Sequence, residues 1–218
     1  MFSQLLDLLF PPKCVLCKSI LSREETDICH RCRQITPELE KPKFRLSFVA
    51  GWTALWYYKD DVRASLLRFK FGKKRNYALS YGRALAMHLQ QKGFDQYDVL
   101  TYIPVSPLRK FRRSYDQVEL IAGVVADELG LRLTPTLRKI RNTPPQSGFK
   151  DVSQRRANVL GAYRIKDSDL IRGKRILLLD DVITTGATAS ECARVLLVAG
   201  AKEVYCAAVA AAHQDKNK

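Results

Sequence analysis

The second half of the chain alternates between strand-like and helix-like spacing of its apolar residues. KRILLLDD is a continuous apolar run of strand length, whereas TASECARVLLVAG repeats its apolar residues at helical spacing and ends at Gly200. EVYCAAVAAA then predicts another strand. A strand, a helix and a second strand in this order are typical of a parallel sheet that is covered by helices.

The same alternation extends toward the amino terminus. GWTALWYY and DVLTYIPV predict strands, while DDVRASLLRFKF, YALSYGRALAMHLQQ and YDQVELIAGVVADELG predict helices, the last closed by Gly130. We therefore predict an α/β domain over residues 51–213, with a parallel sheet flanked by helices. Ligands bind such sheets at the carboxyl ends of the strands.

The pattern changes before residue 51. PELEKPKFRL contains prolines and charges without periodicity, so residues 41–50 are predicted to be a linker behind an amino-terminal unit, residues 1–40. MFSQLLDLLF has a central aspartate and no basic leader, so it does not resemble a signal peptide, and we predict a short amphipathic docking helix there. No apolar run approaches the length of a membrane span, so we expect a cytoplasmic protein. Residues 214–218 are expected to form a polar tail.

Four of the six cysteines form two CxxC pairs, at Cys14, Cys17, Cys29 and Cys32. Four thiolates aimed at one point satisfy tetrahedral Zn²⁺ and leave no open coordination position, so the predicted site is structural. A redox dithiol and two disulfides are the alternatives, and the lack of a secretion signal favours the metal. A knuckle of this size has too little core to fold alone, so zinc would supply its folding free energy.

The segment RILLLDDVITTGAT places carboxylates next to a helix start. We predict a buried strand over Ile176–Leu179, with Asp180 and Asp181 at its carboxyl end and a helix that begins near Thr188. Amides at a helix amino terminus favour an anion, and Gly186 permits close approach. Threonine hydroxyls can add donors, while carboxylates accept bonds from vicinal hydroxyls and hold hydrated Mg²⁺. The segment thus predicts a site for a phosphorylated ribose, the alternative being a helix-capping turn.

The charge of the chain also points to anionic partners. Its 37 Lys and Arg against 22 Asp and Glu give a net charge of +15. Phosphates, nucleotides and nucleic acid all fit this balance, and so does a merely solvated basic surface. Composition alone does not choose among them.

Several segments resemble a known family. Residues Ile176 to Thr188 resemble the ribose-phosphate signature of type I phosphoribosyltransferases. The twin CxxC pairs, IPVSPLRKFRRSYDQVELIA and TPPQSGFKDVSQRRANVLGAY resemble the ComF family of competence-associated, phosphoribosyltransferase-like proteins. That family usually has Arg-Gly-Phe-Asn-Gln where this chain has RSYDQ, so Ser114 and Asp116 depart from it.

The resemblance implies that the chain binds 5-phosphoribosyl-1-pyrophosphate (PRPP) together with Mg²⁺. Asp180 and Asp181 would be the catalytic carboxylates, holding the ribose hydroxyls and the hydrated metal. The loop from Val105 to Pro107 would correspond to the pyrophosphate loop. The residues implied in PRPP binding are Val105, Ser106, Asp180, Asp181, Thr184, Thr185, Gly186, Ala187 and Thr188.

The basic segment from Arg138 to Arg156 contains Pro144, Pro145 and Gly148 and shows no clear periodicity. Because it is long for a connection inside a domain, we predict a mobile flap that closes over the pyrophosphate, the alternative being a disordered excursion. Arginines after the second strand are further pyrophosphate candidates, or else a solvated helix face. The pyrophosphate and flap candidates are Arg109, Arg112, Arg113, Arg138, Arg141, Gln146, Arg155 and Arg156.

Three functions remain open at this point. The first is a PRPP-binding protein that acts in DNA uptake during natural transformation with proteins of the uptake machinery, and that role rests on the resemblance. The second is an active transferase that modifies an amine or a nucleobase. The third is a module in which the knuckle and the flap bind single-stranded DNA and the ribose site senses nucleotide supply.

Overall fold

The computed structural model describes residues 11–42, 44–144 and 151–212. The predicted docking helix, the polar tail and the flap candidate Gln146 lie outside the described residues. None of the helices within these ranges is long and apolar enough to cross a membrane.

Six strands and seven α-helices occur in the described ranges. The strands are β1 (Gly51–Tyr57), β2 (Val99–Tyr102), β3 (Leu137–Lys139), β4 (Tyr163–Ile165), β5 (Arg175–Ile183) and β6 (Glu203–Ala211). The helices are α1 (His30–Ile35), α2 (Asp60–Phe71), α3 (Tyr77–Gln91), α4 (Pro107–Arg113), α5 (Gln117–Leu129), α6 (Val152–Val159) and α7 (Ala187–Val198).

Four strands form the central sheet in the order β1-β6-β5-β2, and every neighbouring pair is parallel. The apolar run of β5 is buried on both faces: Leu177 and Leu179 face one core, and Ile176 and Leu178 face the other. Helices α2, α3 and α5 cover the first face, whereas α7 and the antiparallel pair β3-β4 cover the second. The predicted α/β fold with a parallel sheet flanked by helices is confirmed.

Two strands differ in length from their prediction. β2 ends at Tyr102, and the following Ile103 to Val105 form a loop. β5 continues through both aspartates to Ile183, because β6 pairs with it as far as Ala211 after β2 has ended. The two aspartates therefore lie within the last four residues of the strand rather than beyond it.

The amino-terminal unit packs against the sheet domain. Cys14, Cys29 and Cys32 belong to the same apolar core as α2 and α3. The Ser65 hydroxyl of α2 donates to the Val15 carbonyl, and the Arg68 guanidinium of α2 donates to the Val15 and Leu16 carbonyls. Both carbonyls belong to the first cysteine turn. The sheet domain thus provides the core that the small cysteine unit lacks.

The predicted linker also contacts the sheet. Leu46 is buried in the core on the α7 side, and the Trp52 indole nitrogen donates to the Phe44 carbonyl at 2.9 Å. Just before the linker, the Leu39 amide donates to the Leu55 carbonyl at 3.1 Å. The boundaries of the predicted units remain a prediction.

Candidate functional site

The residues predicted to hold the phosphate and the ribose come together at the carboxyl end of β5. A small pocket is lined by Asp180, by the turn that follows β5 and by the first residues of α7. Its lining includes Thr184, Thr185, Gly186, Ala187 and Thr188. Asp181 is absent from this lining, because successive side chains of a strand point to opposite faces.

The turn between β5 and α7 requires glycine at position 186. Gly186 has a φ of 73°, in the left-handed region that favours glycine. A Cβ atom there would lie 1.9 Å from Cδ2 of Leu46, so no other residue fits this backbone without movement. The group that approaches the Gly186 backbone closely in this structure is the Leu46 side chain, which comes from the predicted linker. The N-cap position of α7 is occupied by Gly186, which has no side chain to cap the helix, so this end is suited to an anion.

Asp181 is buried between two polar side chains from distant elements. The Lys70 ammonium, near the end of α2, donates to Oδ1 at 2.9 Å, and the Gln117 amide, at the start of α5, donates to Oδ2 at 2.7 Å. The side-chain oxygen of Gln117 is buried and has no hydrogen-bond partner among the described residues. An unpaired buried acceptor is costly, so this oxygen is available to a donor from a ligand or its water shell.

Asp180 faces the opposite side of the sheet and is half-buried. Its Oδ1 accepts a hydrogen bond from the Asp181 amide at 2.8 Å. Burial, and after it the Asp181 carboxylate, raise the pKa of Asp180 above its usual range. A cation or a hydroxyl donor that approaches this carboxylate would stabilise its ionised form.

Lys139 of β3 is a site candidate that the sequence analysis missed. Its side chain is buried, and its ammonium lies 5.0 Å from the centre of the Tyr163 ring. Burial, together with the Arg109 guanidinium, lowers the pKa of Lys139 to about 8, and the Asp180 carboxylate opposes this shift. In β3, Leu137 and Lys139 are buried and the residue between them is exposed. This alternation could have predicted from the sequence that Lys139 points inward.

Asp116 supports the predicted pyrophosphate loop. Its Oδ1 accepts the Val118 and Glu119 amides at the start of α5, and its Oδ2 accepts the Val105 amide at 2.9 Å. Ser106 is buried and caps α4 by accepting the Arg109 amide at 3.4 Å. A carboxylate has acceptors on both oxygens, so aspartate meets all three donors where the family's asparagine would present one oxygen.

Ser114, the other departure from the family motif, ends α4 in the left-handed region with a φ of 64°. A residue with a Cβ pays about 1–2 kcal/mol for this conformation. We expect Ser114→Gly to raise the free energy of unfolding by about 0.5–1 kcal/mol, since the greater freedom of unfolded glycine offsets part of the gain. Urea denaturation of the wild type and of Ser114→Gly measures this change in the free energy of unfolding.

Ser190→Gly, inside α7, is the matched control and should lower the free energy of unfolding by about 0.5–1 kcal/mol. If Ser114→Gly destabilised the protein as much as this control does, strain at position 114 would be refuted.

The flap segment is more regular than its sequence predicts. It includes the last two residues of β3 and the first five of the eight-residue helix α6, whose start is capped by the Asp151 carboxylate. Arg141 donates to the Asn158 and Leu160 carbonyls at 3.0 and 2.9 Å, and so ties the two ends of the segment together. The described part of the segment is thus partly regular, and its movement over a ligand stays a prediction.

The flap and pyrophosphate candidates do not all lie together. Arg109 donates to the Thr143 carbonyl at 3.0 Å, which links α4 to the segment after β3. Arg113 follows Arg109 by one turn of α4, and its guanidinium lies 5.0 Å from the centre of the Phe71 ring. Arg155 is half-buried, and the exposed candidates are Arg112, Arg138 and Arg156.

The four predicted zinc ligands converge. The Sγ atoms of Cys14, Cys17, Cys29 and Cys32 all lie within 4.8 Å of one another. Those of Cys17 and Cys29 are 3.7 Å apart, which matches the edge of about 3.8 Å expected for four thiolates around Zn²⁺. His30, the neighbour of Cys29 in sequence, is exposed. The donor set fits structural zinc.

Two family models match the chain. A double zinc ribbon domain covers residues 5–43, and a phosphoribosyl transferase domain covers residues 119–218. Together with the parallel sheet and the converging cysteines, these matches define a phosphoribosyltransferase-like protein that carries an amino-terminal zinc ribbon.

The relatives specify the protein further. DNA utilization protein YhgH of Salmonella typhimurium is 26% identical, over 90% of this chain and 96% of its own. Competence protein ComFC of Streptococcus pneumoniae is 32% identical, over 69% of this chain and 64% of its own. Competence protein F of Haemophilus influenzae is 30% identical over 47% of this chain and 45% of its own. The resemblance to the ComF family is confirmed, and the chain is a phosphoribosyltransferase-like homologue of these proteins.

Solved structures show weaker likeness. The allosteric regulatory enzyme of purine biosynthesis matches 64% of this chain and 29% of its own, with 20% identity and a TM-score of 0.42. An adenine phosphoribosyltransferase matches 63% of this chain and 73% of its own, with 15% identity and a TM-score of 0.40.

Proposed function

We propose that this protein binds PRPP with Mg²⁺ at the carboxyl end of β5 and acts in the handling of DNA. The observation that carries the ligand is the pocket in which Asp180 and the uncapped start of α7 meet. An acid next to a helix amino terminus suits a molecule that combines hydroxyls with a phosphate.

Each group at the site has a part in this proposal. The first amides of α7 and the hydroxyls of Thr184, Thr185 and Thr188 hold the phosphate on the ribose. Asp180 and Asp181 accept bonds from the ribose hydroxyls and hold the water shell of Mg²⁺, which would neutralise the pyrophosphate.

The pyrophosphate end is proposed to lie at the loop after β2. β2 and β5 are parallel neighbours, so their carboxyl ends share one edge of the sheet. Asp116 fixes that loop through the Val105 amide, and Arg109 on α4 adds a cation beside it. Such fixed donors stabilise the charge that develops when pyrophosphate leaves.

An active transferase for an amine or a nucleobase is the second candidate. The observation that favours it is the buried Lys139 near Asp180, since a lysine with a lowered pKa can exchange a proton close to neutral pH. Release of pyrophosphate on addition of an acceptor separates an enzyme from a sensor that binds PRPP without turnover.

The role in DNA handling comes from the relatives. Their names refer to DNA utilization and to competence. We propose the same setting for this chain, in the cytoplasm and with proteins of the DNA-uptake machinery as partners. The net charge of +15 is consistent with an anionic partner.

Calorimetry tests the ligand. PRPP should bind in the presence of Mg²⁺, and Asp180→Asn or Thr185→Ala should weaken binding by about tenfold or more, the loss of at least one charge-assisted bond. Asp169→Asn is the matched control, because the Asp169 carboxylate is exposed and pairs with Arg172 outside the pocket. Equal affinities in all variants, or no binding by the wild type, would refute the proposal.

A further inference from the structure

Two short segments of the chain are rich in cations and contain no acid. KFGKKR, residues 70–75, ends α2, and PLRKFRR, residues 107–113, is the whole of α4. Each segment holds four lysines or arginines, and each also holds one phenylalanine. Such segments attract polyanions.

The fold joins the two segments into one surface. The Arg113 guanidinium lies 5.0 Å from the centre of the Phe71 ring. Arg75 donates to the Ser114 carbonyl at 2.8 Å and lies 5.2 Å from the centre of the Tyr115 ring. We name this surface, formed by residues 70–75 and 107–114, the α2–α4 face.

Both phenylalanines of the α2–α4 face are exposed to solvent. Phe111 is 84% exposed and Phe71 is 68% exposed, whereas the nearby Phe69 is fully buried. Leu108, one turn before Phe111 on α4, is 46% exposed. Exposed aromatic rings that are surrounded by cations are typical of surfaces on which nucleic-acid bases stack, and we call such a surface a stacking platform.

We propose that the α2–α4 face binds single-stranded nucleic acid, with bases stacked on Phe111 and Phe71 and phosphates contacted by the surrounding cations. Unpaired bases present the flat faces that these rings require, and the phosphate backbone complements the exposed cations of the two segments, which include Lys73, Lys74 and Arg112. A duplex fits less well because its base faces are stacked inside the helix. An acidic peptide fits less well because it would contact the cations but leave the two aromatic rings without a partner. This inference refines the proposed role in DNA handling, and it assigns that contact to a surface other than the ribbon and the flap.

The face adjoins the proposed PRPP site. Lys70, the residue before Phe71, bonds to Asp181, and the charge of Asp181 also acts on the Arg113 guanidinium. A single strand on this face would therefore pass beside the ribose pocket, with Arg113 at the junction of the two sites.

Anisotropy of a labelled oligothymidylate tests the platform. Phe111→Ala should weaken binding about tenfold, the loss of one stacked base, without changing the slope of log Kd against log salt. Phe111→Trp should restore the affinity, and Phe111→Leu should not, because leucine keeps the apolar area without an aromatic face. Arg112→Ala should instead reduce that slope by about 0.7, the contribution of one phosphate contact.

Val198→Ala and Lys202→Ala are matched controls on another surface, for an exposed apolar group and for an exposed cation. Both should bind as the wild type does. Wild-type affinity in Phe111→Ala, or equal affinity for a duplex of the same sequence, would overturn the inference. A change of oligomeric state in Phe111→Ala, seen by light scattering with unchanged oligothymidylate binding, would assign the rings to self-association instead.

Calorimetry with PRPP keeps the two proposals apart. Phe111→Ala should bind PRPP with unchanged affinity and melt at the wild-type temperature, since Phe111 is exposed and lies outside the pocket. If the wild type bound oligothymidylate but no PRPP, the ligand proposal would fail and the α2–α4 face would stand.

Discussion

Loss of zinc is expected to destabilise the whole chain rather than the ribbon alone. Cys14→Ser or Cys29→Ser should abolish zinc binding and lower the free energy of unfolding by more than about 5 kcal/mol, because structural zinc contributes about 10–16 kcal/mol in zinc-finger peptides. The damage should reach the sheet domain, since these thiols share one core with α2 and α3, and Ser65 bonds to the first cysteine turn.

Metal analysis and thermal melting measure this effect. Reduced wild-type protein should hold about one zinc per chain, as one four-thiolate site requires, and a chelator should lower its melting temperature. Cys206→Ala is the control: this buried thiol lies in the other core, so the variant should keep its zinc and lose only about 1–2 kcal/mol. Metal-free wild-type protein, or a sheet domain that melts unchanged after chelation, would contradict the prediction.

Variants of the ion pair between Lys70 and Asp181 should distinguish its effect on the free energy of unfolding from its effect on PRPP binding. Lys70→Met should lower the free energy of unfolding by about 3 kcal/mol or more, because it leaves a buried carboxylate without its partner. The double variant Lys70→Met with Asp181→Asn should recover most of that stability, since no uncompensated charge remains. It should still fail to bind PRPP, because the carboxylate proposed to hold the ribose is gone.

Urea denaturation and calorimetry on the same samples provide both readings. Lys110→Met is the control, since Lys110 forms an exposed pair with Glu119, and its stability should change by less than about 1 kcal/mol. A double variant that binds PRPP like the wild type would remove Asp181 from the proposed site. A stable Lys70→Met would show that Asp181 does not need the ammonium.

The pocket could be predicted from the sequence because its parts are contiguous. Asp180 and residues 184–188 follow one another, so a buried strand and a helix start were enough to bring them together. The two partners of Asp181 were not predicted, because Lys70 and Gln117 are 111 and 64 residues away in sequence. Helical spacing identifies the buried face of α2 but does not tell which strand the end of the helix reaches.

The helices were predicted more accurately than the strand ends. The observed α2 and α3 coincide with DDVRASLLRFKF and YALSYGRALAMHLQQ, whose periodicity is local. The end of β5 instead depends on β6, which pairs with Ile183 through Ala211. Since strand length is decided by a neighbour, a polar pair such as Asp180 and Asp181 does not by itself end a strand.

The strand order has a consequence for synthesis on the ribosome. The two middle strands of the sheet, β5 and β6, follow β1 and β2 in sequence, and among the described strands β1 pairs with β6 alone. Because long-range parallel pairing is slow and exposes apolar surface until it is complete, a nascent chain must wait with β1 and β2 unpaired. The two cysteine pairs precede every strand of the sheet in sequence, and their four thiols converge on one another, so zinc capture can precede formation of the sheet. Until β5 and β6 have been synthesised, β1 and β2 therefore expose the apolar surface that the completed sheet buries.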